Sequence, residues 1–304
     1  MIRFPRKFLV FFAATLFACG EAADPQLGTT RVELATYRDS LSVCWTDASC
    51  KRVMAVAHGG EWSALGAPYD SSAAIAAAYA RGSDGIKIDV RVTRDNVPVI
   101  SHSSPIKLYE SLDCANKKIE DMLAAEVTAC HRFPSGTETF QRLDTVLDYL
   151  RGKMVVELTV KRPVDYARTI QEVLARHAED YAFLEISTGE LQTLIPTITG
   201  SDRVYYLINV ASNLSEVDVL LNTIKNPRAF MVEIDPGVAI GSLVATRLHP
   251  AGVRAFLYDA NGLVSPGQLK AYYDQGFDAV SSNQAKNGVT ARQQVNAARG
   301  VTPP

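Results

Sequence analysis

The sequence predicts one α/β domain, a (β/α)₈ TIM barrel that occupies residues 52–300. Two features of the chain predict this class. Eight short apolar segments rich in Val, Ile, Leu and aromatic residues follow Arg52, and stretches of helical periodicity separate most of them. Strands that alternate with helices form parallel sheets, and eight such units in about 250 residues are typical of a barrel. With 47% hydrophobic residues, the chain can bury a core of this size.

The predicted elements follow in chain order. The predicted strands are Val53–Ala57, Gly85–Thr93, Met154–Lys161, Phe183–Ser187, Val204–Asn209, Phe230–Asp235, Val253–Tyr258 and Ala279–Ser282. The predicted helices are Ser71–Arg81, Asp144–Leu150, Val164–His177, Glu190–Ile195, Ser215–Ile224 and Pro266–Asp274. A turn at Asp95-Asn96 is expected to return the chain, and His102 with it, towards His58. Residues 103–141 then form a long insertion before the third strand.

The N-terminus has the pattern of an export signal. Three basic residues within the first seven precede the apolar run Phe8–Ala18, which is too short for a membrane span. We therefore expect a signal peptide at residues 1–19, an irregular lead-in at 20–51, and an exported protein.

Two modes of export remain open. Leu16–Cys19 is similar to a lipoprotein box, which would make Cys19 a lipid anchor in a periplasmic or outer-membrane lipoprotein. Cleavage by the ordinary peptidase near Ala22 or Ala23 is the alternative, and it would release the protein. Membrane attachment is expected only through Cys19. The net charge of −2 and the lack of a basic tract argue against nucleic acid as a partner.

Four cysteines remain once Cys19 is set aside, namely Cys44, Cys50, Cys114 and Cys130. In an oxidising compartment they suggest two disulfides, for which three connectivities exist. The local choice pairs Cys44 with Cys50 and Cys114 with Cys130, and the second bridge would pin the insertion over the barrel mouth. A zinc site is not expected, because no CxxC pair occurs.

Polar residues at the carboxyl ends of the predicted strands are the candidates for chemistry, because barrels carry their active sites there. His58 ends the first strand, and Lys87 and Asp89 stand two apart on the second, so both point into the lumen. Lys161 ends the third strand. Together with His102 they suit in-line attack on a phosphodiester. One imidazole takes a proton and the other gives one, while the lysines hold phosphoryl oxygens.

These residues lie in a pattern that resembles the glycerophosphodiester phosphodiesterase family, a phospholipase-C-like phosphodiesterase barrel. Ala57-His58 is followed by Pro68, and residues 82–102 read Gly-x-Asp-Gly-Ile-x-Ile-Asp-Val-x-x-Thr-x-Asp-x-x-Pro-Val-x-x-His. Leu143–Lys153 is similar to the family's helix before strand three, and Gly276–Ser281 resembles its closing strand. The resemblance covers residues 53–284 and implies a phosphoric diester hydrolase acting on glycerophosphodiesters or phospholipid head groups.

The sequence departs from the family pattern at several site positions. The family's His-Arg, Pro-Glu-Asn-Thr, Glu-x-Asp, His-Asp and Glu-x-Lys become His58-Gly59, Pro68–Ser71, Lys87–Asp89, His102-Ser103 and Thr159–Lys161. Of three carboxylates that the resemblance implies as metal ligands, only Asp89 remains. One carboxylate beside a lysine suits no divalent cation, since Ca²⁺ takes ~6–8 oxygen ligands. No cofactor is therefore expected, and a divalent cation is disfavoured.

Other carboxylates on the predicted strands are candidates for a replacement metal ligand, Glu157, or for acid–base work, Glu233 and Asp235. Glu157 lies roughly 6–7 Å below Thr159 at ~3.3 Å per residue, which places it too deep to join Asp89 as a metal ligand. Glu233 and Asp235 share one face of the sixth strand, and we expect them to accept hydrogen bonds from loop backbone.

Lys87 resembles a further arrangement. Some bacterial phosphatidylinositol-specific phospholipases C share the barrel and place a basic side chain where metal-dependent relatives keep an ion. The resemblance implies a metal-independent phosphodiesterase in which His58 and His102 act as acid and base. Lys87 and Lys161 would bind the phosphate, and Asp89 would hold Lys87 or orient an imidazole. The alternative is an inactive barrel that binds a phosphorylated ligand or an envelope protein. In it, Lys87 and Asp89 are only a buried ion pair.

Overall fold

A computed structural model describes residues 40–224, 226–236, 240–259 and 264–301. The predicted signal peptide, Cys19 and the first part of the lead-in lie outside these residues. The strands are β1 Met54–His58, β2 Gly85–Val92, β3 Pro98–Ile100, β4 Val155–Val160, β5 Ala182–Ser187, β6 Tyr205–Ala211, β7 Ala229–Ile234, β8 Arg254–Asp259 and β9 Ala279–Ser282.

The sheet closes into a barrel of eight parallel strands. Their order is β1-β9-β8-β7-β6-β5-β4-β2, and β1 pairs with β2 to complete the ring. The short β3 runs antiparallel to β2, and Asn96 in the turn between them has a φ of 61°. The predicted TIM barrel is confirmed, and so is the reversal that brings His102 back to the mouth.

Helices follow most of the strands. They are α1 Trp62–Leu65, α2 Ser72–Arg81, α3 Ala124–Thr128, α4 Leu143–Leu150, α5 Tyr166–Ala175, α6 Thr188–Thr193, α7 Ser215–Val219, α8 Gly241–Leu243, α9 Pro266–Asp274 and α10 Ala285–Ala298. Wider π-type turns, Leu220–Ile224 and Val244–Leu248, extend α7 and α8. The sequence did not predict α10, because its composition is polar and Gly288 stands at the end of its first turn. In the described residues, no helix has the length and apolarity needed to cross a membrane.

Alternation along the strands divides the barrel interior into an apolar floor and a polar layer. Inward side chains at Val155, Phe183, Met231 and Phe256 are buried in one apolar cluster, which Leu41 and Trp45 of the lead-in also join. Two residues further along each strand stand Glu157, Glu185, Glu233 and Tyr258. Because inward positions recur every second residue along a strand, these four polar side chains also point inward and lie closer to the mouth than the apolar cluster. They form one polar layer across the barrel. The outward residues of the same strands pack against the helices.

The insertion after β3 has its own small core beside the mouth. Cys114 and Cys130 form a disulfide with a Cα–Cα distance of 5.8 Å, and Cys44–Cys50 form the other at 5.4 Å. The predicted local pairing is thus confirmed. Arg132, 1% exposed, donates to the carbonyl oxygens of Tyr69 at 2.7 Å and Ile100 at 2.6 Å. Its guanidinium therefore ties the insertion to the loop after β1 and to β3.

Candidate active site

His58 lies at the end of β1 with both ring nitrogens engaged. Its Nδ1 is 2.6 Å from Asn283 Oδ1, so Nδ1 carries the proton and Nε2 is an acceptor. The hydroxyls of Tyr69 and Tyr258 lie 2.8 and 3.1 Å from Nε2, whose one lone pair accepts a full hydrogen bond from one of them at a time. Burial, followed by the charge of Lys87, lowers the pKa of His58 to about 4. The imidazole is therefore neutral near pH 7, and its basic nitrogen lies next to the Tyr69 and Tyr258 hydroxyls.

His102 follows β3 and is the more exposed of the two histidines. Its Nδ1 is 3.0 Å from the Tyr109 hydroxyl and 3.2 Å from Ser103 Oγ, and its backbone N–H donates to Glu110 Oε1 at 2.9 Å. Partial burial lowers the pKa of His102, although the charge of Asp89 opposes the shift. Ser103 stands where the family pattern has Asp. Its Oγ still contacts the His102 imidazole, although it has no carboxylate.

Tyr69 lies between the two imidazoles. Its ring centroid is 5.0 Å from that of His58 and 6.1 Å from that of His102. Gly59 makes room for it, because a Cβ on Gly59 would lie 2.1 Å from Tyr69 Cε2. Gly59 also has a φ of 66°, a conformation that glycine adopts without strain. The two departures from the family pattern, at Gly59 and Tyr69, therefore depend on each other, because the Tyr69 ring fits only where residue 59 has no Cβ. The sequence alone did not reveal this dependence.

Lys87 points into the lumen as predicted and is held among carboxylates. Its Nζ lies 3.5 Å from Asp89 Oδ1 and 3.7 Å from Glu185 Oε2, and its side chain is buried. The ammonium also lies 5.5 Å from the centre of the Tyr258 ring. Burial alone would lower the pKa of Lys87, but Asp89 and Glu185 outweigh it and raise that pKa well above its ordinary value. Lys87 is therefore a permanent internal cation.

Asp89 receives both predicted lysines. Lys161 Nζ lies 2.7 Å from Asp89 Oδ1, the same oxygen that Lys87 approaches. Burial would raise the pKa of Asp89, but the charges of Lys87 and Lys161 outweigh it and hold that pKa well below its usual range. Asp89 is fully buried, whereas Lys161 keeps 21% of its side chain exposed. Of the two lysines, Lys161 is thus the better placed to reach a ligand.

Three glutamates complete the polar layer. Sequence reasoning overlooked Glu185 and assigned Glu233 the wrong hydrogen-bond partner. Glu157, Glu185 and Glu233 each offer a carboxylate oxygen, and these atoms lie within 4.8 Å of one another. Glu185, which was not singled out, could have been found from its inward position two residues after Phe183. The expectation that Glu233 bonds loop backbone is wrong. Its Oε1 accepts from Asn209 Nδ2 at 3.0 Å, because Asn209 on the neighbouring strand shares its level.

The glutamates are not all ionised. Burial raises the pKa of Glu157 to about 8 and, reinforced by the neighbouring carboxylates, raises that of Glu233 further above its ordinary value. In Glu185 the charge of Lys87 and a 2.6 Å hydrogen bond from Thr159 overcome burial and lower the pKa. Two ammonium groups therefore face two carboxylates, those of Asp89 and Glu185, and the layer is close to neutral.

The family's divalent cation does not fit these residues. Of its three ligand positions, Lys87 and Thr159 carry no carboxylate, and the ammonium of Lys87 lies next to the remaining one, Asp89. The deeper glutamates contain unpartnered oxygens on Glu157 and Glu233. However, Lys87 is 3.7 Å from Glu185 and would repel an ion there as well.

A cavity of about 530 Å³ opens beside both histidines. His58 and His102 lie at its polar end. Its other walls are mostly apolar and aromatic, and include Trp62, Pro68, Tyr69, Tyr109, Phe133 and Pro134. Among the described residues, Lys87 and Lys161 do not line this cavity.

The parallel barrel and the ionisable layer at its carboxyl end define a barrel of the phosphodiesterase class. The sequence profile of the glycerophosphoryl diester phosphodiesterase family matches residues 66–236, and the chain belongs to that family. The predicted resemblance and hydrolase class are therefore confirmed at the level of the family. No curated protein matches the chain in sequence.

Solved structures of the same family share the fold at low sequence identity. A glycerophosphoryl diester phosphodiesterase from Parabacteroides distasonis has a TM-score of 0.69 and 20% identity, covering 83% of this chain and 90% of that chain. A glycerophosphodiester phosphodiesterase from Agrobacterium tumefaciens has a TM-score of 0.62 and 20% identity, and the match covers 78% of this chain and 99% of that chain. An Oleispira antarctica phosphodiesterase in complex with the product sn-glycerol-3-phosphate has a TM-score of 0.57 and 19% identity, covering 78% and 96%.

Proposed function

We propose that this chain is a metal-independent phosphodiesterase that cleaves glycerophosphodiesters or phospholipid head groups, with Lys87 in place of the cation. The observation that carries this proposal is the position of Lys87 Nζ, 3.5 Å from Asp89 Oδ1, where the family pattern expects a metal. A fixed ammonium in a buried site offsets charge that develops on a phosphoryl oxygen, because electrostatic interactions are strong where water is excluded.

The two histidines divide the proton transfers. His58 is the base, because its pKa of about 4 keeps it neutral and leaves Nε2 without a proton. The Tyr69 and Tyr258 hydroxyls, 2.8 and 3.1 Å from Nε2, give up this nitrogen when the attacking group binds. His102 is the acid, since it is the more exposed of the two histidines and the charge of Asp89 partly offsets the lowering of its pKa by burial.

Water attacks phosphorus and forms the new P–O bond while it gives its proton to His58 Nε2. The P–O bond to the leaving group breaks, and His102, which enters the step protonated, gives its proton to the leaving oxygen. The proton on His58 then returns to His102 through solvent. Lys161 binds a phosphoryl oxygen.

The ligand is proposed to be a phosphodiester or its phosphomonoester product. Support comes from the family and from the Oleispira antarctica phosphodiesterase, whose structure holds sn-glycerol-3-phosphate. This chain shares 19% identity with that protein. The likeness therefore supports the choice of substrates to assay, and the assay itself must decide among them.

A second candidate function is binding without turnover. Tyr69 favours it, because its ring separates the two imidazoles and its hydroxyl occupies the basic nitrogen of His58 at 2.8 Å. In that case the ion pairs of Lys87 only hold the barrel together, and a phosphorylated ligand or an envelope protein binds at the mouth.

The test is turnover of glycerophosphocholine, phosphatidylinositol and lysophospholipids by the purified domain and by two variants. We expect His58→Ala and His102→Ala each to lose about 10²–10⁴-fold in kcat, the usual contribution of a general acid or base. His131→Ala, an exposed histidine paired with Asp113, is the control and should keep full activity. Full turnover by His102→Ala would refute its assigned role. Binding of glycerophosphocholine with no turnover of any substrate would establish the second candidate.

We further propose that the protein is exported. The disulfides Cys44–Cys50 and Cys114–Cys130 support an oxidising compartment. Mass spectrometry of the mature protein tests this. An acylated Cys19 means a lipoprotein, a start after Ala22 or Ala23 means release, and an uncleaved N-terminus contradicts export.

A further inference from the structure

The cavity beside the histidines is larger and more apolar than a glycerophosphodiester requires. Such a substrate is polar throughout, yet most of the residues that line the cavity of about 530 Å³ are apolar or aromatic. Pockets of this size are usually apolar with few polar groups, and the polar groups orient a ligand whose remainder is buried. The walls formed by Trp62, Pro68 and Phe133 therefore need an apolar partner.

The apolar surface continues beyond the cavity. The Phe133-Pro134 segment lines both this cavity and a second one of about 360 Å³, which Leu112 also lines. Phe133 is 43% exposed, Tyr109 55% and Leu112 61%, although all three are large apolar or aromatic side chains. Leu65, adjacent to the cavity residue Gly66, is 50% exposed. Exposed apolar side chains grouped around one pocket mark a binding surface.

We propose that this apolar cavity binds a single hydrocarbon chain of the substrate, which is therefore a monoacyl or alkyl phosphodiester rather than a fully deacylated one. The inference rests on the proposed function, because the phosphodiester is taken to lie at His58 and His102. In this proposal the hydrocarbon chain of the substrate extends from the histidines past Trp62 and Tyr69 to the wall formed by Phe133 and Pro134.

Equilibrium binding tests this without depending on turnover. The probes are alkylphosphocholines with four, six, eight and ten carbons, kept below micelle-forming concentrations and titrated into the full chain by calorimetry. Glycerophosphocholine serves as the probe without a chain. Burying each methylene is worth about two- to four-fold in affinity, so the ten-carbon probe should bind at least about 50-fold more tightly than the four-carbon probe.

Two variants locate the chain. Phe133→Ser removes one wall, and its partial exposure makes misfolding an unimportant concern. Ser63→Trp fills the cavity from the opposite side, because Ser63 lines it too. In both variants, the ratio of the affinity for the ten-carbon probe to that for the four-carbon probe should be at least about five-fold smaller than in the natural protein. Val164→Ser, a change at an apolar residue that is 77% exposed and outside the cavity lining, should leave the gain unchanged.

Each outcome separates the inference from the proposed function. Affinity that rises with chain length, and less so in the two cavity variants, supports the inference even if no substrate is turned over. Equal affinity for all chain lengths overturns it, even if glycerophosphocholine is hydrolysed. Binding to phosphatidylcholine vesicles without binding of monomeric probes also overturns it, because a lipid surface and not one chain would then be the partner.

Discussion

A single lysine decides how the polar layer of the barrel works. Where the family pattern has a carboxylate, Lys87 brings a positive charge that contacts Asp89 and Glu185. A metal ion and an ammonium both neutralise carboxylates, but the ammonium is covalently fixed and cannot be removed by a chelator. The remaining glutamates then lower their cost of burial by staying protonated.

Replacing Lys87 should uncover a cation site. In Lys87→Met the carboxylates of Asp89, Glu157, Glu185 and Glu233 lose their central counter-charge. We expect turnover to fall and the free energy of unfolding to drop by about 3 kcal/mol in chelator, the scale of a broken buried ion pair. Added Ca²⁺ or Mn²⁺ should raise the Tm of this variant but not of the natural protein. Lys107→Met, at an exposed lysine, is the control.

Thermal denaturation with and without these ions provides the measurement. If Lys87→Met keeps full turnover and shows no ion dependence, Lys87 is not the stand-in for a cation.

Glu157 should make the protein less stable as the pH rises. Its folded pKa of about 8 lies above the ordinary value of 4.5, so the unfolded chain releases this proton first. Stability from the protonated group is complete below about pH 4.5 and is lost as the pH rises towards 8. Glu157→Gln keeps the group neutral and should stabilise the protein at pH 8, relative to pH 5, by roughly 3–4 kcal/mol.

Denaturant unfolding at the two pH values measures the difference. Asp121→Asn, at an exposed carboxyl group, is the matched control and should show no comparable pH dependence. A Glu157→Gln variant whose stability parallels that of the natural protein at both pH values would mean that Glu157 is already ionised.

At the scale of elements, the loop after β1 and the segment that precedes α2 are built around each other. Gly59 continues directly from His58, and Tyr69 fills the space over it. Ser71 caps α2 by accepting from the Ala74 N–H at 3.2 Å. The cap and the carbonyl contact from Arg132 fix the segment, and with it the ring that separates the histidines.

A double-mutant cycle should detect this coupling. Gly59→Ala adds a Cβ only 2.1 Å from Tyr69 in a backbone of φ 66°, and we expect a cost of more than about 2 kcal/mol. In a Tyr69→Ala background only the backbone strain remains, so the same change should cost about 1 kcal/mol. Gly66→Ala has a φ of 61° and no atom within 4 Å of its Cβ, so it reports the strain alone.

Urea unfolding of the four proteins of the cycle gives the coupling energy. Strict additivity would show that Tyr69 moves aside without cost, and that its position between the imidazoles is not fixed.

At the scale of the whole molecule, the barrel could be predicted because each strand carries its own signal. The predicted strand Ala279–Ser282 is confirmed without change, and Gly85–Thr93 differs from β2 by one residue. The inward direction of Lys87 and Asp89 followed from the two-residue repeat of a strand. The same rule could have shown Glu185, but one carboxylate on a predicted strand is uninformative until its neighbours around the ring are known.

The environment of His58 could not be predicted. Tyr69, Tyr258 and Asn283 come from three separate loops or strands, and they meet at one imidazole only when the barrel closes. Tyr258 and Asn283 lie outside the quoted family motifs, and Tyr69 stands at a motif position where the family has Glu, so the pattern gives none of these three contacts. Tertiary contacts of this kind have no local period or spacing.

The most direct test is the kcat/KM of the purified domain for glycerophosphocholine in excess EDTA and in excess Ca²⁺, Mg²⁺ or Mn²⁺. If Lys87 supplies the positive charge that family members obtain from a metal ion, activity in EDTA should equal activity with each ion to within about two-fold. Activity that disappears in EDTA and returns with a divalent cation would contradict the central claim, because the site would then hold a metal ion in spite of Lys87.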